Sequence, residues 1–125
     1  MPAQNPEECD MLFATHLNNR DLDGLVSLYE PEACLVQQDG TLACGADAIR
    51  EGLASLLSIR PKIMMNVTKI VRAGDDLAVL YNDWYLTAQG ADGNPTAMKG
   101  KAIEIVRLQR NGTWMFAVDD PFARG

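Results

Sequence analysis

The second half of the chain constrains its fold most. From Lys62 onward, segments at residues 63–73, 77–89, 96–110 and 113–120 are separated only by Gly74-Asp75, by Ala91-Asp92-Gly93-Asn94-Pro95 and by Asn111-Gly112. These are turn residues in short connections, so each strand is expected to pair antiparallel with the next in a four-strand meander. Several strands are apolar on both faces, as in Leu77-Ala78-Val79-Leu80-Tyr81 and Ile103-Glu104-Ile105-Val106. One face can pack on helices, while the other leaves an apolar surface of the kind that marks an interface. A homodimer through the open face of the sheet is therefore expected.

The first half reads as helices. Asn5 is placed to cap a helix with Pro6 as its first residue, and Glu7, Glu8 and Asp10 suit the positive end of its dipole. Leu12, Phe13, His16 and Leu17 share one face of that helix, which Asn18-Asn19-Arg20 breaks. Asp21 caps a second, shorter helix whose apolar side is Leu22, Leu25, Val26, Leu28 and Tyr29, closed by Pro31. Residues 33–38 and 41–44 read as a hairpin about Asp39-Gly40. A third helix runs from Ala46 or Asp47 to about Ile59, with Ile49, Leu53, Leu56 and Leu57 at helical spacing, and Pro61 closes it. Helices first and long strands afterwards define an α+β layout, helices on one face of the sheet. The 125 residues fit a single domain, 1–125, large enough to bury a core.

Charge and composition narrow the function. A formal net charge of −6, with lysines and arginines scattered singly along the chain, argues against nucleic acid and anionic membranes. No apolar run approaches the ~20 residues of a membrane helix. The N-terminal stretch lacks the basic flank and apolar core of a secretion signal, which points to the cytoplasm. Cys9, Cys34 and Cys44 are an odd number with no CxxC spacing, and read as free thiols in a reducing compartment. Cys34 and Cys44 fall on facing strands as near neighbours. No metal site is expected, since the single histidine, His16, lies far off in sequence. Neither a phosphate loop nor a dinucleotide fingerprint occurs, so no cofactor is expected.

The chemistry concentrates at the end of the last strand. Thr113-Trp114-Met115-Phe116-Ala117-Val118-Asp119-Asp120-Pro121 is apolar along most of its length and acidic at its tip. Those acids must reach solvent or the mouth of a cavity.

Four stretches of the chain resemble a known family. Asn19-Arg20-Asp21-Leu22-Asp23-Gly24-Leu25, Tyr29-Glu30-Pro31-Glu32-Ala33, Gly45-Ala46-Asp47-Ala48-Ile49-Arg50 and Asn111-Gly112-Thr113-Trp114-Met115-Phe116 are similar to the SnoaL-like branch of the nuclear transport factor 2-like superfamily, which also holds ketosteroid isomerase. The resemblance covers nearly the whole chain. It implies three N-terminal helices over a strongly bent, mostly antiparallel sheet, a cone-shaped pocket for a small apolar molecule, and a dimer through the sheet. It does not carry the isomerase chemistry, which uses a carboxylate base, a tyrosine and a protonated acid. The first hairpin strand here ends Val36-Gln37-Gln38, Phe13 stands in the first helix, and the acid's place falls near Val106. Polyketide cyclases of this type resemble the chain differently, using an aspartate late in the final strand as acid/base.

Asp120 is the first candidate for that aspartate and Asp119 the second. In a regular strand Trp114, Phe116, Val118 and Asp120 share a face, and a one-residue bulge would exchange the two acids. The same acids also read as a solvated strand end. His16, the only imidazole, is a candidate helper or a hydrogen-bonded core residue. Glu104 sits between Ile103 and Ile105, lining the pocket or paired with a Lys or Arg. Tyr81, Asp83 and Tyr85 share one face of their strand, Asn82 and Trp84 the other, and either can face inward. Phe13, Tyr29, Val36, Gln38, Met65 and Trp114 complete the expected pocket wall. Two functions follow: a cofactor-independent isomerase, cyclase or hydrolase, or a non-catalytic dimeric scaffold for a ligand or another protein.

Overall fold

A computed structural model describes residues 2–123. Helix α1 spans Glu8–Asn18, α2 Leu22–Val26 and α3 Ala46–Leu57. The strands are β1 Tyr29–Val36, β2 Leu42–Cys44, β3 Lys62–Ala73, β4 Leu77–Gln89, β5 Pro95–Leu108 and β6 Trp114–Asp120. They form one sheet in the order β2-β1-β6-β5-β4-β3. The expected meander is present as β3-β4-β5-β6, every neighbouring pair antiparallel. β1 closes the sheet by lying parallel to β6 and antiparallel to β2.

Local chemistry sets the element ends. The Asn5 side chain accepts the Glu8 N–H at 3.1 Å, and Asp21 accepts that of Gly24 at 2.9 Å, so both expected caps are in use. The Asn18 side chain exchanges two hydrogen bonds with the backbone of Ile63, at 2.8 and 3.1 Å, tying the end of α1 to β3. Asp39 turns the first hairpin by accepting both the backbone N–H and the hydroxyl of Thr41. Arg20, Arg60 and Lys62, far apart in sequence, line one surface groove, where Arg20 and Lys62 donate to the helix-end carbonyls of Leu57 and Asn18.

Two expectations change. The second helix stops at Val26 rather than at Glu30, and Tyr29 opens β1 instead. Its position is taken by pairing, Tyr29 against Phe116, with the Phe116 N–H donating to Leu28 O at 2.8 Å. Cys34 and Cys44 are not free thiols. They face each other across β1 and β2 with Cα atoms 4.1 Å apart and are joined by a disulfide. Direct opposition on an antiparallel pair brings the two side chains into bonding range. Cys9 is free and buried, and burial together with neighbouring acids pushes its thiol up to about 12. Thiol usage thus no longer supports a reducing compartment.

The helices cover one face of the sheet. Phe13 and Leu17 of α1, Leu53 and Leu57 of α3, and Leu80, Val106 and Phe116 of the sheet belong to one core. Phe13 meets Phe116 edge-on at 6.4 Å between ring centroids. The opposite face lies open, with Met64 73% and Tyr85 48% exposed. No helix among the described residues is long and apolar enough to cross a membrane.

Candidate functional site

The parity of β6 decides which acid enters the molecule. Val106 pairs with Phe116 and Ile105 with Val118, leaving Ala117 unmatched as a one-residue bulge. Beyond it the inward face changes phase. Val118 is 36% exposed, whereas Asp119 is buried at 3%. Asp120 turns outward, and its carboxylate accepts the Phe122 N–H at the following turn. The expectation for Asp120 as the inward acid is corrected to Asp119, for the reason that made the alternative conceivable.

Asp119 lines a cavity of about 300 Å³ between the sheet and α3. The volume is at the small end of ligand pockets. Of the residues singled out in the sequence, Phe13, Val36, Gln38, Met65, Trp84 and Glu104 line it, and Tyr29 does not. Leu53, Leu56, Leu86, Met98 and Phe122 add further apolar wall, with Gln37 and Ser55 among the few polar side chains. The alternation of β4 puts Ala78, Leu80, Asn82, Trp84 and Leu86 on the buried side. Tyr81 and Asp83 therefore lie on the outer face, where Lys69 stands over the Tyr81 ring at 5.3 Å and Lys101 lies 3.8 Å from Asp83. Trp114 is buried in the core, with Arg72 over its ring at 5.8 Å, and does not line the cavity. His16 sits at the α1–α2 junction, 3.5 Å from Asp21, outside the cavity wall.

Behind the cavity is a buried polar cluster. Tyr29 OH donates to Asp119 Oδ2 at 2.6 Å, and Asn82 Nδ2 donates to Asp10 Oδ2 at 3.0 Å. Glu104 joins the two pairs, within hydrogen-bond reach of Asp10 and Asp119. Two carboxylates cannot hydrogen-bond without a proton between them, so the trio Asp10, Glu104 and Asp119 retains protons. Apart from the protons that the three carboxyls share, no donor reaches Glu104 Oε1 or Asp119 Oδ1 among the described residues, although both atoms are buried.

The electrostatics follow from that placement. Burial raises Glu104 well above the usual carboxylate range, reinforced by the charge of Asp10. Burial raises Asp119 to about 7, held back by the Tyr29 hydrogen bond and pushed further by Asp10 and Asp120. Asp10 is also raised by burial, with hydrogen bonds from Glu104 and Asn82 opposing. Tyr29 rises far above the phenol range through burial and the neighbouring Asp119. One carboxyl held protonated beside another poised near neutrality is an acid/base pair in chemical terms.

Asp10 and Asn82 were missed in sequence, and a signal existed for each. Asp10 is three residues before Phe13 and seven before Leu17, on the buried helix face, and Asn82 shares Trp84's side of β4. The acid sought near Val106 is also met differently, since Glu104 is the carboxyl that β5 brings to the cavity while Val106 stays in the core. No cluster of three or more metal-ligating side chains in metal-binding geometry occurs among the described residues.

A curved six-strand sheet covered on one face by three helices, with a cavity between them, defines the nuclear transport factor 2-like α+β class. Residues 11–116 match the family model described as a SnoaL-like domain, and this chain belongs to that family. Its structure is similar to a ketosteroid isomerase-like protein from Erwinia carotovora atroseptica, at TM-score 0.83 and 19% identity over 91% of this chain and 89% of that one. A nuclear transport factor 2-like superfamily protein from Salmonella enterica is similar at TM-score 0.77 and 19% identity, covering 94% and 89%. A putative calcium/calmodulin-dependent protein kinase type II association domain from Thiobacillus denitrificans is similar at 0.76 and 17%, covering 98% and 97%. At these identities the likeness is one of fold. No curated protein matches the chain in sequence.

Proposed function

We propose that this protein is a cofactor-independent acid/base enzyme of isomerase, cyclase or hydrolase type. It takes a small, largely apolar molecule into the cone and exchanges a proton with it through Asp119. The observation that carries this reading is a buried carboxyl on an apolar cavity wall, raised to about 7. Glu104, held protonated beside it, keeps the second acid of the cavity wall neutral. The ketosteroid isomerase-like neighbour agrees with such a role in fold only. The arrangement differs from the carboxylate base and tyrosine of ketosteroid isomerase, because Val36, Gln37 and Gln38 bring no carboxylate and Phe13 brings no hydroxyl.

The test is a thermal-shift screen against steroids, aromatic polyketides, terpenoid epoxides and fatty acids, on wild type and Asp119→Asn. A ligand at ~100 times its dissociation constant adds about 2.7 kcal/mol to stability. A hit with altered shift in Asp119→Asn, followed by turnover in wild type alone, supports the enzyme. Binding with no turnover in either form overturns it and leaves a ligand-binding module.

One observation favours a second reading, a non-catalytic dimeric scaffold. The outer face of β3–β6 exposes Met64 beside Tyr85 in one cross-strand row, and Val71 and Val118 in another six residues along β4. A homodimer through that face covers them, and the association-domain neighbour fits this use of the fold. Sedimentation of wild type beside Tyr85→Lys distinguishes a dimer from a monomer whose outer face is bare.

A further inference from the structure

We propose that the polar end of the ligand is a protonated amine, so that the cavity is a site for hydrophobic organic cations. This rests on the reading that the cavity is a ligand site with Asp119 on its wall, and adds the charge of what enters.

The charge inventory of the site is one-sided. Glu104 and Asp119 line the cavity, Asp10 lies directly behind them, and no Lys, Arg or His lines it among the described residues. The ion pairs of the described residues lie elsewhere: His16 with Asp21, Arg50 with Asp23, Lys101 with Asp83 and Arg107 with Glu30. Three buried carboxyls thus share one region with no cation to balance them, which is the costly case for buried charge. Among themselves the carboxyls limit that cost by retaining protons. An ammonium group against Asp119 meets the same need by direct pairing, while Glu104 and Asp10 keep their shared proton.

The free acceptors are where such a group requires them. Asp119 Oδ1 and Glu104 Oε1 belong to side chains more than nine-tenths buried on the cavity wall, and beyond the protons shared among the carboxyls neither has a donor. An ammonium ion carries donors only, so it satisfies both without leaving an acceptor of its own unpaired. Phe13, Trp84 and Phe122 line the same cavity and offer aromatic faces to a cation. The apolar wall holds the hydrocarbon body. A carboxylate or phosphate entering the same place meets two acids and no cationic group.

Proton linkage gives the proposal a second, independent reading. Asp119 is faced by Tyr29 from β1, Asp10 from α1, Glu104 from β5 and Asp120 on its own strand. Of these, Asp10 and Asp120 add to the upward shift that burial produces, and Tyr29 and Glu104 oppose it. A cation at Asp119 drives it to the carboxylate, so binding below pH about 7 releases a proton to the buffer. Affinity for the amine then rises about tenfold per pH unit up to that value and levels off above it.

The experiment uses the full chain and matched probes on one-, two- and three-ring bodies, each as primary amine, alcohol and carboxylate, with the parent hydrocarbon. The bicyclic set is 2-aminotetralin, 2-tetralol, tetralin-2-carboxylate and tetralin. Calorimetry at pH 5.5, 6.5 and 8, in two buffers of different ionisation enthalpy, reads affinity and proton release together. The expected result is an amine bound at least tenfold tighter than its alcohol at pH 8, proton release at pH 5.5 and 6.5, and no carboxylate binding. In Asp119→Asn the amine-to-alcohol ratio collapses and proton release disappears. An alcohol or hydrocarbon bound as tightly as the amine overturns the cation assignment and leaves the cavity reading standing. Failure of every body in every form overturns both.

Discussion

Tyr29 donates a 2.6 Å hydrogen bond to Asp119 from the strand that lies parallel to β6. The contact joins residues ninety positions apart and fixes one oxygen of a carboxyl that lines the cavity. Removing the hydroxyl leaves Asp119 Oδ2 buried without its donor. Tyr29→Phe is expected to cost about 1–3 kcal/mol in chemical denaturation. It also raises Asp119 further, because the Tyr29 hydrogen bond favours the carboxylate. Carbon-13 detected titration of the Asp119 carboxyl checks the direction, and a downward shift contradicts it.

Stability should fall with rising pH across the acid range. Asp119 has an unfolded value of 3.8 and a folded value of about 7, so between these the native state holds a proton that the unfolded chain has lost. Its contribution is fully present below pH about 4 and lost as pH rises through about 7. The difference of about three pKa units corresponds to on the order of 4 kcal/mol. Urea midpoints of wild type and Asp119→Asn from pH 4 to 8 test this. The wild type declines more steeply than the variant, and parallel curves refute the assignment.

Most of the fold is legible in the chain because turn residues and alternation are local. Strands β3 to β6 and the caps at Asn5 and Asp21 lie where the residues put them. Tyr29 is different, since its strand identity comes from pairing with Phe116, a contact no nearby residue announces. The site was legible in part for a related reason. Phe13 and Glu104 follow from periodicity, the inward side of Trp84's strand is settled only by packing, and the buried roles of Asp10 and Asn82 depend on meeting Glu104 across three elements. A carboxylate in a first helical turn reads first as a partner of the dipole. Only packing reveals that this one faces the core.

Gly100 holds the cavity wall in place through its missing side chain. A Cβ there would lie 2.5 Å from Trp84 Cζ2, and the indole Nε1 donates to Pro121 O at 2.7 Å. Gly100→Ala is expected to displace the indole, break that bond and destabilise by about 1–3 kcal/mol. A change in Trp84 fluorescence, read in a Trp114→Phe background, checks the local cause. Unchanged emission would place the effect elsewhere.

His16 gives the opposite expectation. It pairs with a half-exposed Asp21 away from the cavity, so His16→Ala should alter stability by less than about 1 kcal/mol. Ligand affinity should stay that of wild type. A loss comparable to that of Asp119→Asn would return His16 to the site.

The hairpin disulfide closes a short loop between Cys34 and Cys44. Chain-entropy reasoning assigns such a loop about 2–3 kcal/mol. Cys34→Ser with Cys44→Ser should lose that amount, and dithiothreitol should lower the wild-type melting temperature without affecting the double variant. Equal melting of the reduced and oxidised wild type rules out that stabilisation.

The bulge at Ala117 leaves the strand end with an unusual tolerance. Drawing Ala117 into the ladder opposite Ile105 turns the end of the strand half a period and exchanges the side chains presented within and without. Positions 119 and 120 are both aspartate, so either phase delivers a carboxyl to the interior. The tandem acid works as a spare: a slip of one place that elsewhere in the sheet would turn an apolar side chain out to water here substitutes like for like.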